Sequence, residues 1–364
     1  MATLSRHKMN YLELRSVEKK YISKDIQNIG DDESFLLIGF GITNPLSIEK
    51  MSDDWEKSDS KTKALGRTES ASKKIRPLDF GGSISLLRIS NKKPELLVDW
   101  DVLTPMGLCV NKDGNKLLVG SSFGIFEIYN GEIKRNLEHN LFSQVHGISK
   151  STNGYIAACT NTDSIVEFSI NDDSNKVTEL WNLIASEKGF NKDTKGNDRT
   201  IDHSKNYQFL DEGGTRSHST HLNSAIEYND NHILTTLFHQ DQLIKIDKKD
   251  GSYEVILDNI TNPHHIKKDS TGGYLVSATR DNGIYTLDDN LKVKQYFSDD
   301  YNWVQDSEVF DQYYVISDNN NSRLVFTREG KKEFEINWDN NARKVSNMIS
   351  IKGSEVKKIF LNNT

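Results

Sequence analysis

Apolar and polar positions along this chain fall into short runs rather than helical stripes. From His146 the sequence reads HGISKSTNGYIAACTNTDSIVEFSI, from Asn223 NSAIEYNDNHILTTLFHQDQLIKID, and from His265 HIKKDSTGGYLVSATRDNGIYTLDD. Each copy sets a short strand before a polar turn (STNG, YNDN or DSTGG). A second apolar strand, a polar loop and a third strand such as SIVEFSI or QLIKID follow, and a fourth such as YEVILD or KVKQYF closes the unit. Weaker copies begin at Met106 and Asp306, and a partial one, NMISIKGSEVKKIFL, begins at Asn347. Short strands recurring about every 40 residues, with turn residues between them, are the pattern of propeller blades.

A single four-stranded blade leaves both faces uncovered. Stacked blades cover one another, and closing the ring protects the edges. The partial C-terminal copy lacks outer strands, and SFLLIGFG, GSISLLRIS and PELLVDW near the N-terminus supply them. The pattern therefore predicts an all-β, six-bladed β-propeller over 1–364 as a single domain, closed by N- and C-terminal strands in one blade. Seven blades is the alternative if the N-terminal part holds an extra strand set.

Two polar stretches interrupt the rhythm, 45–78 and 188–220. Loops of that length in a compact domain carry function or are unstructured. In a propeller, strand A of each blade lines the channel. The loops before strand A and between strands B and C share one face, and the A–B turns share the other. Both insertions fall on the first face, which makes it the expected channel mouth; the A–B turns are short, and that face reads as plain. Aligning the copies puts Met106, His146, Asn223, His265, Asp306 and Asn347 at the heads of the six A strands. A ring of His, Asn and Asp around an axis suits a cation or a polar ligand.

The repeat and this ring resemble the six-bladed propellers of the gluconolactonase, senescence-marker-protein and strictosidine-synthase-like group. Lactonases of that group hold an axial divalent cation with a Glu, two Asn and an Asp. The resemblance implies that Asn223, Asp306 and Asn347 fill the Asn and Asp roles, while His146 and His265 stand where no Glu aligns. Imidazole suits zinc or iron better than calcium. There is also a partial likeness to the peptide-amidating lyase propeller, which holds zinc with three His from alternate blades. His146 and His265 stand in that relation, with Asn347 in the third place.

The expected ligand is thus a divalent metal (zinc, iron or calcium) held by His146, His265, Asp306, Asn223 and Asn347. His221 and His218, at the end of the second insertion, are the acid–base candidates. Arg280 is an anchor whose fork matches a carboxylate or phosphate, and His239 and Trp303 are further substrate contacts. His264 is assigned to structure, because strand alternation turns it away from the axis occupied by His265. The expected activity is metal-dependent hydrolysis of a lactone or ester, or a lyase reaction, on a small polar substrate. The alternative is a non-catalytic propeller that binds a protein or peptide across the same face. No P-loop, GxGxxG after a strand, GxSxG elbow or HExxH is present.

Composition narrows the classes further. A formal charge of −7 argues against nucleic acid and against an anionic membrane surface. No apolar run approaches the ~18 residues of a membrane helix, and the first twenty residues lack an apolar leader core, so a cytoplasmic location is expected. Cys109 and Cys159 sit in the apolar runs GLCV and IAAC and are expected as buried, reduced thiols.

Overall fold

The computed structural model describes residues 20–42, 81–209, 215–269, 271–338 and 343–361. Among them stand six antiparallel sheets, five of four strands and one of five. The A strands are Lys344–Lys352 in blade 1, Gly107–Val110 in blade 2 and Val145–Lys150 in blade 3. They are Leu222–Asn229, Pro263–Lys268 and Val304–Phe310 in blades 4 to 6. Each A strand neighbours those of the blades before and after it, and blade 6 meets blade 1, so the ring closes.

The closure is as the sequence predicts. Strand A of blade 1 comes from the C-terminus and pairs with Ser34–Ile42 from the N-terminus, from Ser34 opposite Lys352 to Ile42 opposite Lys344. Two additions were not foreseen. Lys20–Ile22 forms a fifth, outermost strand of blade 1, opposite Val98–Trp100. The end of the partial copy is not a strand: Gly353–Phe360 is an α-helix whose Val356, Ile359 and Phe360 are buried. The N-terminal strand already occupies the edge that a second strand would have needed.

The core consists of six apolar clusters, one at each blade–blade interface. Successive strand residues face opposite sides, so neighbours in sequence feed different interfaces. Leu36 packs against blade 6 and Leu37 against blade 2; Ala157 packs against blade 2 and Ile156 against blade 4. A strand covered on both faces reads as a continuous apolar run, which explains FLLIGF and YIAAC. Each large side chain so buried contributes about 1.5–3 kcal/mol. Cys109 and Cys159 are free, buried thiols in the blade 2–blade 3 cluster, and burial pushes both up to about 12. No helix among the described residues is long and apolar enough to cross a membrane.

The 45–78 insertion lies outside the described residues. The 188–220 insertion is described except for 210–214, and it lies before strand A of blade 4.

Candidate functional site

Each of blades 3 to 6 enters strand A through a left-handed residue: Gln144 (φ +51°), His221 (+49°), Asn262 (+51°) and Trp303 (+74°). Asn and His are the more tolerant of that region; Gln and above all Trp rarely adopt it. The step turns the chain from the outer edge of one blade into the channel of the next. It also carries His221 and Trp303 onto the mouth face.

Strand pairing fixes which residues are equivalent. Val145, Leu222, Pro263 and Val304 all pair with the last residue of strand B. One residue further on stand His146, Asn223, His264 and Gln305. The next level holds Gly147, Ser224, His265 and Asp306, with Asn347 of blade 1 opposite Gly39. The aligned ring of the sequence therefore mixes two levels. His146 and Asn223 lie on the upper one, and His265, Asp306 and Asn347 on the lower. The A–B turn of blade 5 (269–273) is one residue longer than that of blade 3 (151–154), which slipped the copies by one. As a second correction, His264, set aside on strand alternation, shares the level of His146.

Six of the ten histidines gather on this side. The ring of His221 lies 5.0 Å from His218, 5.7 Å from His146, 5.5 Å from His239 and 5.0 Å from Phe238. His264 packs 4.8 Å from Phe238, 6.1 Å from Trp303 and 6.4 Å from His265. His218 and His221 meet Nδ1 to Nδ1 at 2.7 Å, so they share one proton between two nitrogens.

Asp163, which the sequence did not single out, holds this pair in place. It closes the short 3-10 turn Thr160–Thr162 that leads into strand C of blade 3, is left-handed, and is 1% exposed. Its Oδ2 accepts from Arg199 Nε (2.8 Å) and from Ser219 N (2.8 Å) and Oγ (3.1 Å). Its Oδ1 accepts from Thr220 N (3.1 Å) and Oγ1 (2.8 Å) and from His221 N (2.8 Å). Burial alone would raise this carboxyl. His218, Arg199 and the hydrogen bonds outweigh it and hold the group below its ordinary value. Arg199 also donates to the carbonyls of Ser217 and Asn161, so the second insertion is pinned across the mouth. A buried Asp met by an Arg some 36 residues away leaves no local sequence pattern.

Burial lowers the histidines. His146 falls to about 4; burial is the main cause, the hydrogen bond to the Gln144 carbonyl opposes it, and His265 and His218 add to it. His221 and His264 fall well below the ordinary value for the same first reason, with neighbouring imidazoles adding. These rings are therefore neutral at pH 7. His146 Nδ1 donates to the Gln144 carbonyl at 3.0 Å, which leaves Nε2 as a lone-pair acceptor. His264 Nδ1 meets Thr279 Oγ1 at 2.5 Å, and that hydroxyl donates to the Val304 carbonyl, so Nε2 of His264 is also an acceptor. Between them on blade 4, Asn223 is fully buried and both atoms of its side-chain amide lack a hydrogen-bond partner among the described residues. A buried amide left unmet costs about 1–3 kcal/mol, so this one is a ready partner for a polar ligand.

Arg280 is exposed, with its guanidinium 6.0 Å from the Trp303 ring. Trp303 Nε1 donates to Gln305 Oε1 (2.8 Å), and His239 Nε2 donates to the Thr215 carbonyl (3.0 Å). Both therefore keep their places at the mouth.

The lower level is differently employed. Asp306 is fully buried; its Oδ2 accepts from Lys267 Nζ (2.6 Å), Met348 N (2.6 Å) and Asn347 Nδ2 (3.2 Å). Its Oδ1 accepts from Ser307 N at 2.9 Å. Asn347 Oδ1 accepts from Leu108 N (3.1 Å), which ties blade 1 to blade 2. His265 lies across the axis: Nδ1 donates to the Gln305 carbonyl (3.1 Å), and Nε2 approaches the His146 carbonyl (3.5 Å). The small half of this level makes room for it. A Cβ on Gly147 would stand 2.9 Å from the Asn223 carbonyl, and one on Gly107 3.0 Å from that of His146.

His146, His265, Asp306, Asn223 and Asn347 thus do not fit a shared metal as one ligand set. They occupy two levels, and the Asp and Asn of the lower one are committed to a lysine and to backbone. Among the described residues, no three His, Cys, Asp or Glu side chains converge on a metal position.

No protein-family model matches the chain, and no curated protein matches it. Solved structures do. One is a proposed 6-phosphogluconolactonase from Bacteroides fragilis (11% identity, 91% of this chain, 99% of that one, TM-score 0.51). Another is a chain of a nidogen/laminin complex (9% identity, 75% and 96%, TM-score 0.52). A third is a protein of unknown function from Bacteroides caccae (14% identity, 74% and 94%, TM-score 0.53). Their names span unrelated roles, as one architecture commonly does. What these likenesses and the closed ring of six sheets establish together is the fold: the chain is a six-bladed β-propeller.

Proposed function

We propose that the chain is an enzyme acting on a small polar molecule at the histidine-lined mouth, by hydrolysis of an ester or lactone or by elimination. The observation that carries this reading is the packing of three imidazoles, those of His146, His218 and His239, around His221, beside an Asn223 amide with both atoms unmet among the described residues. Neutral imidazoles are suited to give and take protons and to polarise a carbonyl without carrying charge themselves. His221 would exchange a proton with the substrate, and His218, hydrogen-bonded to it, would relay that proton. Asn223 would bind a substrate oxygen, and Arg280 and Trp303 would hold the substrate's outer end. Strained residues gather at working sites, and His221 and Trp303 are both in the left-handed region.

The test is a panel of lactones, aryl esters and β-elimination substrates, assayed with the full chain and with His221→Ala, His218→Ala and the exposed control His203→Ala. Turnover lost in the first two and kept in the third supports the reading. Turnover that survives His221→Ala, or no turnover on the whole panel, sinks it. Repeating the assay after chelation and after adding zinc, iron or calcium tests the metal-dependent form separately.

A further inference from the structure

A cavity of the channel lies on the side that the sequence reads as plain. It measures about 400 Å³ and is lined by the downstream halves of the A strands. His265 and Asn347 form its inner end, and Leu108, Ile148, Ile266 and Ile349 line its walls. Taking about 30 Å³ per heavy atom, as for water, it holds a molecule of roughly a dozen non-hydrogen atoms.

The charges around this well are unequal in what they are free to do. Glu227 Oε2 accepts from Thr152 N and Oγ1, both at 2.8 Å, and its Oε1 is buried without a hydrogen-bond partner among the described residues. Glu308 accepts from Val309 N (3.0 Å) and Lys267 Nζ (3.3 Å), and Glu355 from Lys352 N (2.8 Å). Lys267 is spent on Asp306, Glu308 and the Met348 carbonyl. Lys150 and Lys268 are different. Both line the cavity and are exposed, and neither ammonium has a hydrogen bond or ion pair to a described residue. They occupy equivalent positions, opposite Tyr155 in blade 3 and Tyr274 in blade 5, and flank Glu227.

We infer that this well binds an amphipathic anion, an apolar body of about a dozen atoms carrying a carboxylate, with the body among the isoleucines and the head between Lys150 and Lys268. This site is separate from the histidine mouth. His265 lies across the axis between them.

The test uses the full chain and calorimetric titration, with thermal melts as the second readout. The probes are decanoate, decanol, decyltrimethylammonium and butyrate. The variants are Lys150→Gln with Lys268→Gln, and Ser350→Trp, which places a large ring at an exposed rim position; circular dichroism checks that each folds. Decanoate is expected to bind and raise the melting temperature, and decanol and the cation to bind at least about tenfold more weakly. The lysine pair variant should lose about tenfold for decanoate and little for decanol, and Ser350→Trp should abolish both. No binding of decanoate at millimolar concentration overturns the inference. So does decanol or the cation matching decanoate, or unchanged affinity in the lysine variant.

Discussion

Lowering the pH from 7.5 to 4.5 should strip stability from this protein through its buried histidines, against a smaller opposing contribution from Glu308, whose carboxyl burial raises above its ordinary value. The unfolded chain binds a proton at His146 near the ordinary 6.5, whereas the folded chain refuses it until about 4. Where the unfolded state holds more protons, stability falls as pH falls. The loss therefore begins as pH drops through 6.5, grows to about 4, and levels off below. At 1.36 kcal/mol per pH unit His146 alone accounts for at most about 3 kcal/mol, since its ring is only half-buried. His221 and His264 are lowered in the same direction and add to the same window. Against a typical domain stability of about 5–15 kcal/mol, that is a large fraction. Asp163 does not confuse the result. Its carboxyl is held below 3.8, so its contribution is present above that pH and is lost only beneath it. The assay is urea unfolding at pH 7.5, 6.5, 5.5 and 4.5 on the parent and on His146→Gln. The parent should show a falling midpoint, and the variant a shallower fall by the share of His146. Equal stability at 7.5 and 4.5, or an identical slope in the variant, would refute the argument that burial keeps these rings neutral.

Three other perturbations separate the levels of the channel. Asp306→Ala leaves the part-buried Lys267 with only Glu308 and the Met348 carbonyl and should cost up to about 3 kcal/mol in chemical unfolding, whereas Asp306→Asn, which can still accept from Met348 N, should cost less. Asp163→Ala removes the acceptor for Arg199 and for residues 219–221; limited proteolysis should then cut within 188–220 far faster, and the activity assigned to His221 should fall with it. Gly147→Val places a branched side chain against the backbone of Asn223 and Ser224 and should lower the melting temperature by several degrees, from overpacking of about 1–3 kcal/mol.

The blades were legible in the sequence because the inner strands are covered on both sides and read as apolar runs, while the turns between them are polar and the outermost strands are largely exposed. That contrast repeats and needs no long-range information. It located even the joint between the two chain ends, since SFLLIGFG is too apolar to stand uncovered. The helix at Gly353–Phe360 was not legible, because its pattern also continues a strand; only the occupied edge decides. The ring at the axis was half legible. The residue types were chosen well, but a turn longer by one residue in blade 5 moved His265, and a one-residue slip in a strand reverses its facing. Asp163 and Asn223 show the two kinds of information that a chain does not carry locally. Asp163 matters because Arg199 and residues 219–221 come to it, and Asn223 because no described residue meets its amide.

The lower level also shows why a propeller can keep two chemistries apart. Three of its six positions are small (Gly107, Gly147 and Ser224) and three are large (His265, Asp306 and Asn347). A symmetric ring of small residues would leave an open pore, and one of large residues would not fit. The unequal halves let His265 cross from blade 5 toward blade 3, while Lys267, two positions on, reaches blades 6 and 1. One strand thus sends a side chain to each half of the ring. The result is a partition held by a carbonyl on one side and a buried carboxylate on the other. Neutral imidazoles remain above it, where burial favours them uncharged, and free ammonium groups remain below it, where solvent reaches them.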